Sequence, residues 1–305
     1  MIPMTTEYPV LVVISGPTAV GKTSLAIEVA KSLSAEIISA DSRQFYKEMR
    51  IGTACPTKAQ LSAVPHYFIQ HLSIRDQYNI GLYEKDVLMK LDELFRKSRF
   101  AILVGGSGLY LRAVCHGLDL MPDIDLSLRN ELKRCYEKEG IRILQDKLKS
   151  LDPDYYKKVD LYNPVRLIRA LEVCISSGSA YSELRKNKPV QRKFRMINIG
   201  LTLPREEIYQ RISRRTDEMM TEGLLEEARS LYPYRPLNAL QTVGYKELFE
   251  HFKGGIPLSE AIEMIKQNTR HYAKRQMTWF RRDPEINWFL PEQLGEIMKL
   301  VRNEE

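Results

Sequence analysis

A chain of 305 residues with 44% hydrophobic content has ample core for one large domain or two modest ones. Its net charge of +7 tilts it toward a polyanionic partner. Cys55, Cys115, Cys135 and Cys174 form no C-x-x-C pair, which argues against a zinc site or disulfide framework, and no run of about 18 apolar residues is present to span a membrane. Reduced thiols in a cytoplasmic protein are the plain expectation.

Residues Met1 to Val10 lack a basic region followed by an apolar stretch, so no secretory leader is expected. Val10-Leu11-Val12-Val13-Ile14 reads as a buried strand, and Thr23 to Ala30 reads as the opening of a helix. Between them, Gly16-Pro17-Thr18-Ala19-Val20-Gly21-Lys22-Thr23 fits G-x-x-x-x-G-K-[ST], the phosphate-cradling P-loop. Glycines let backbone N–H groups turn inward around phosphate oxygens. Lys22 adds a point charge, Thr23 offers a hydroxyl to Mg²⁺, and the helix N-terminus adds partial positive charge. A phosphorylated ligand is expected here. The motif alone does not say which, and it admits ATP.

Glu36 to Ala40 reads as a second strand, ending at Asp41. Phe100 to Val104 reads as a third, ending in Gly105-Gly106-Ser107-Gly108. Strands alternating with helices imply a doubly wound parallel α/β sheet, in which ligands bind at the carboxyl ends of the strands. Asp41 and the second glycine turn should therefore lie beside the P-loop. Asp41 has two candidate roles, helping to hold Mg²⁺ or taking a proton as general base. The segment Asp41-Ser42-Arg43-Gln44-Phe45-Tyr46 suits recognition of a planar heterocycle.

From about Gly117 to Arg192 strand-like runs vanish and charged helical stretches take over. Met196 to Leu201 then reads as a strand returning to the sheet. The predicted fold is a P-loop NTPase-like parallel sheet core, 1–116 plus 193–305, with an inserted all-helical domain, 117–192. Glu206 to Leu231 and Leu258 to Arg282 are long helical segments, and Trp288 with Phe289 forms a last edge strand. Two basic clusters stand out. One runs from Arg185 to Arg215. The other is Arg270 to Arg282, interleaved with Tyr272, Trp279 and Phe280. Each reads either as phosphate contacts with base stacking or as a solvated helix face over core aromatics.

Together these blocks resemble the bacterial tRNA dimethylallyltransferase (isopentenyltransferase) family, nearly end to end. The resemblance rests on the P-loop, on Asp41 to Tyr46, on Ile51-Gly52-Thr53-Ala54-Cys55-Pro56 and on Gly105 to Tyr110. Arg166 to Glu172, Arg215 to Met220, Val243-Gly244-Tyr245-Lys246-Glu247 and Tyr272 to Trp279 extend it. It implies transfer of a dimethylallyl group from dimethylallyl diphosphate to the exocyclic N6 amine of adenosine-37 in tRNA, next to the anticodon. Gly16, Thr18, Ala19, Val20, Gly21, Lys22 and Thr23 would hold the diphosphate, and Thr23 would ligate Mg²⁺. Asp41 would accept the amine proton and Arg215 would stabilise departing charge. Asp41, Ser42, Arg43, Gln44, Ser107, Arg129 and Val165-Arg166-Leu167-Ile168-Arg169 would contact the tRNA anticodon stem-loop.

The enzyme is expected to be a cytoplasmic monomer. Three positions depart from the family pattern: Cys55 stands where Lys is common, His66-Tyr67 where a His pair is usual, and Ser107 where Thr is frequent. A zinc-finger extension of the kind carried by some eukaryotic relatives is not expected. The alternatives on the same scaffold are an adenylate isopentenyltransferase, a P-loop small-molecule kinase, and a non-catalytic RNA-binding protein.

Overall fold

The computed structural model describes residues 8–303 apart from 120, 123, 124 and 187. The stretch examined above for a leader lies largely outside these residues, as does the end of the chain. No helix among the described residues is long and apolar enough to cross a membrane. The chain divides into two compact units: residues up to Cys115 with those from Arg192 onward, and His116–Gln191.

Six strands build one sheet in the first unit: β1 (Val10–Ser15), β2 (Ile37–Ser39), β3 (His66–Tyr67), β4 (Phe100–Gly105), β5 (Arg195–Leu201) and β6 (Asn287–Phe289). Their order is β3-β2-β4-β1-β5-β6, and every pairing is parallel. β1 is central and buried along its whole length because helices cover both faces. Strand alternation sends Leu11 and Val13 into one core, with Leu103, Phe45 and Tyr83. Val10, Val12 and Ile14 enter the other, with Leu25, Val29 and Ile199.

The sequence reading missed β3, whose two residues are too short for a periodic signal. The register matters for function. Ser15 pairs with Gly105, and Ser39 pairs with Val104. The segments leaving β1, β2 and β4 therefore emerge side by side, at the switch point where such sheets bind ligands.

The second unit is helical among its described residues. Helices Leu126–Glu139, Ile141–Leu151 and Pro164–Ser177 enclose Leu132, Leu144, Leu148, Leu167, Ala170 and Leu171. The last of these helices starts where Asn163 accepts the Arg166 N–H at 3.2 Å, with Pro164 in its first turn, and stops at Gly178. Buried Asp152 accepts from Tyr155 N at 2.8 Å, Ser182 N at 2.7 Å and Ser182 Oγ at 2.7 Å. It thereby caps helix Pro153–Tyr156 and fastens helix Tyr181–Leu184.

Candidate functional site

The P-loop turns sharply out of β1. Gly16 has φ +147°, and a Cβ there would come within 2.7 Å of the Leu201 carbonyl oxygen, so only glycine fits. Val20 is buried in the core and contributes its backbone alone. Lys22 opens helix Lys22–Leu33 and donates to Pro17 O at 2.6 Å, folding back over the loop. Enclosure in the cleft lowers its ammonium to about 8. Nearby Asp41 opposes that shift and Arg215 adds to it.

The neighbouring turns interlock with this loop. Asp41 Oδ1 accepts the Arg43 N–H at 3.0 Å, and Asp41 O accepts the Gln44 N–H at 3.1 Å, a local Asx-type turn. Ser107 Oγ accepts the Ser42 N–H at 3.2 Å and donates to Ser42 Oγ at 3.3 Å. Arg215 Nη1 donates to Thr18 Oγ1 at 3.2 Å. Burial holds the Arg215 guanidinium below its usual range, partly offset by Asp41.

Gln276 bridges the two glycine turns. Its Oε1 accepts the Thr18 N–H at 2.8 Å and its Nε2 donates to Gly106 O at 2.8 Å. A Cβ on Gly106 would lie 2.3 Å from Gln276 Nε2. These residues line one cleft of about 1390 Å³, together with Thr23, Asp41, Gly105, Tyr272 and Arg275. The P-loop, Asp41 and Arg215 thus share one electrostatically coupled space.

Several of the expected contact residues already have protein partners. Arg43 Nη1 donates to Asn238 O at 2.9 Å and Ala239 O at 3.1 Å, while Gln44 Nε2 donates to Thr53 O at 3.2 Å and Ala54 O at 3.1 Å. Both side chains line the cleft, yet their polar ends fasten neighbouring loops. In the run Val165 to Arg169, helical geometry turns Leu167 and Ile168 into the core of the second unit, leaving Val165 and Arg166 exposed and Arg169 half-exposed.

Arg129 is likewise committed within its own unit. Its Nε and Nη2 meet Glu172 at 2.5 and 2.9 Å, and Glu172, only 1% exposed, also lies 3.6 Å from Arg169. Arg129 is therefore the counter-ion of a buried carboxylate. Arg129→Ala should lower stability by about 1–3 kcal/mol in denaturant unfolding, a figure discounted because Arg169 stays and Arg129 is half-exposed. Glu172→Gln should cost less than Arg129→Ala, since it removes the buried charge itself.

The second basic cluster is mixed. Phe280 is core, and Trp279 packs on the second glycine turn, where a Cβ on Gly108 would lie 2.2 Å from its Nε1. Tyr272 and Arg275 line the cleft. Gln276 was missed; a lone amide in a run of cations and aromatics was the available signal.

A parallel sheet that carries a P-loop, an aspartate and a half-buried arginine on one cleft defines a protein of the P-loop NTPase-like class. The IPP transferase family model matches residues 44–283, and this chain belongs to that family. The tRNA dimethylallyltransferase of Christiangramia forsetii is 57% identical over 279 residues, 92% of this chain and 92% of its own length. The tRNA dimethylallyltransferase 1 of Bacteroides thetaiotaomicron is 49% identical over 294 residues, 96% of each. Among solved structures, the full-length tRNA isopentenylpyrophosphate transferase of Bacillus halodurans is similar with TM-score 0.72 and 36% identity, covering 98% of this chain and 97% of that one. A eukaryotic dimethylallyltransferase acting on tRNA is similar with TM-score 0.76 and 26% identity, over 97% of this chain and 77% of that one.

Proposed function

We propose that this protein transfers the dimethylallyl group of dimethylallyl diphosphate to the N6 amine of adenosine-37 in tRNA, as a cytoplasmic monomer. The observation that carries this reading is the convergence of P-loop, Asp41 and Arg215 in a single cleft. Phosphates held there share the cleft with two cations, Lys22 and Arg215, and with one acid, Asp41, that can take a proton. That arrangement fits displacement of a diphosphate by an amine.

In this scheme the P-loop between Gly16 and Thr23 grips the diphosphate through its backbone N–H groups other than that of Thr18, which Gln276 holds. As the carbon–oxygen bond breaks, negative charge gathers on the departing oxygen, and Lys22 and Arg215 stabilise it. The amine of adenosine attacks the allylic carbon and Asp41 takes its proton. Mg²⁺ would be held by the Thr23 hydroxyl and substrate oxygens. The hard oxygen donor of Thr23, on the cleft wall beside Lys22, fits an ion that takes few protein ligands and keeps its waters. When bound, the ion neutralises diphosphate charge.

The target base must leave its stack to reach Asp41. Ser42, held by Ser107, lines the cleft beside Asp41, and Arg166 with Arg169 on the second unit would hold the anticodon stem-loop. Arg166→Ala should weaken tRNA binding and reduce its salt slope by about 1, leaving pyrophosphate binding intact. Filter binding across a salt series with calorimetry for pyrophosphate reads both.

Incubation with labelled dimethylallyl diphosphate, Mg²⁺ and either unmodified tRNA or adenosine monophosphate tests the reading. Label on tRNA supports it. Label on the mononucleotide and not on tRNA would favour the adenylate isopentenyltransferase alternative.

A further inference from the structure

Residues Arg50 to Pro56 form an irregular loop along the cleft. Its start is held by one carboxylate. Glu227, on helix Leu224–Leu231, accepts Arg50 N–H at 3.0 Å and Ile51 N–H at 2.8 Å on Oε2. On Oε1 it accepts Gly52 N–H at 2.9 Å and the Tyr245 hydroxyl at 2.7 Å. Two donors on each oxygen fill the capacity of a carboxylate. Tyr245 is fully buried, and a Cβ on Gly52 would lie 2.6 Å from its ring, so loop and tyrosine are in close contact.

The far end of the loop is held from the Asp41 side. Gln44 donates to the carbonyls of Thr53 and Ala54, and its own N–H bonds to Asp41 O. Ala54 is kept at φ +48°, a left-handed conformation that a non-glycine residue adopts only when its surroundings enforce it. The loop thus runs from the Glu227–Tyr245 pair to the backbone of the aspartate turn. None of these bonds involves the P-loop.

We propose that Glu227, backed by Tyr245, is a positioning residue for the acceptor side of the reaction: it fixes the 50–56 loop as the wall against which the nucleotide amine meets Asp41. The assignment rests on the prenyl-transfer reading. It separates the cleft into a donor half, organised by the P-loop, Arg215 and Gln276, and an acceptor half organised by Glu227 and Gln44. Displacing a reacting group by about 1 Å can cost 10²-fold in rate, so the effect of loosening the loop should fall on acceptor use.

Glu227→Gln tests this. The amide keeps the shape but points an NH₂ donor at backbone N–H donors. The expected result is a fall of about 10²-fold in kcat/KM for tRNA, with pyrophosphate affinity by calorimetry unchanged. Tyr245→Phe keeps the ring against Gly52 and removes one donor; it should lower the same kcat/KM about fivefold. It decides the matter if circular dichroism shows Glu227→Gln unfolded. Wild-type kcat/KM in the folded variant, or pyrophosphate affinity lost in step with it, overturns the assignment. Absence of transfer by the unaltered protein would instead overturn the prenyl-transfer reading itself.

Discussion

Asp41→Asn lowers turnover of prenyl transfer by about 10²–10⁴-fold, the range for a lost general base, while tRNA and pyrophosphate still bind. Asparagine is the informative replacement because its carbonyl oxygen can keep the 3.0 Å bond from the Arg43 N–H. The aspartate turn, and the Ser42–Ser107 contact that follows it, then survive. What disappears is the ability to take a proton from an amine. Single-turnover kinetics with saturating donor isolate that step. Unchanged turnover would remove Asp41 from the chemistry and leave it a purely structural turn residue.

Lys22→Ala lowers kcat/KM for dimethylallyl diphosphate by about 10²–10³-fold, because this cation meets charge that grows as the leaving group departs. The pH behaviour carries the same signature. Enclosure has already brought the Lys22 ammonium down to about 8, so burial disfavours its charged form. Below that value the free protein presents a cation to the diphosphate. As pH rises through it, the charge is lost and pyrophosphate affinity should decline. The same shift has a stability consequence of opposite sense. Between about 8 and the ordinary lysine value of 10.5, the unfolded chain binds more protons at this site than the folded one, so the site's contribution to stability rises with pH. Calorimetric titration of pyrophosphate between pH 7 and 9, in wild type and Lys22→Ala, should show the alkaline decline only in the former.

The core strands were readable because β1 and β4 are near-continuous apolar runs and β5 alternates Met196, Asn198 and Gly200 with apolar Ile197, Ile199 and Leu201. β3 was not, since His66 and Tyr67 hold the sheet edge by pairing with β2 rather than by any pattern of their own. The P-loop was readable from fixed spacing, and Asp41 and Gly105 from their positions after strands. The cross-ties were not readable. Gln276 reaches Thr18 across 258 positions and Arg215 reaches it across 197, and no local pattern encodes such meetings. In Val165 to Arg169 the contiguous motif is split by the 3.6-residue period of the helix, which puts Leu167 and Ile168 inside and leaves Val165 and Arg166 outside. The Arg129–Glu172 pair was equally hidden, because the burial of Glu172, 43 positions away, cannot be seen in one dimension.

In prenyl transfer this P-loop grips a leaving group and transfers no phosphate. Dimethylallyl diphosphate labelled with ¹⁴C in the prenyl group and ³²P in both phosphates tests it in one reaction with unmodified tRNA and Mg²⁺. The expected result is ¹⁴C on the adenosine beside the anticodon and ³²P as free pyrophosphate, in equimolar amounts. Phosphorus label in the tRNA, or released as separate monophosphates, would contradict it.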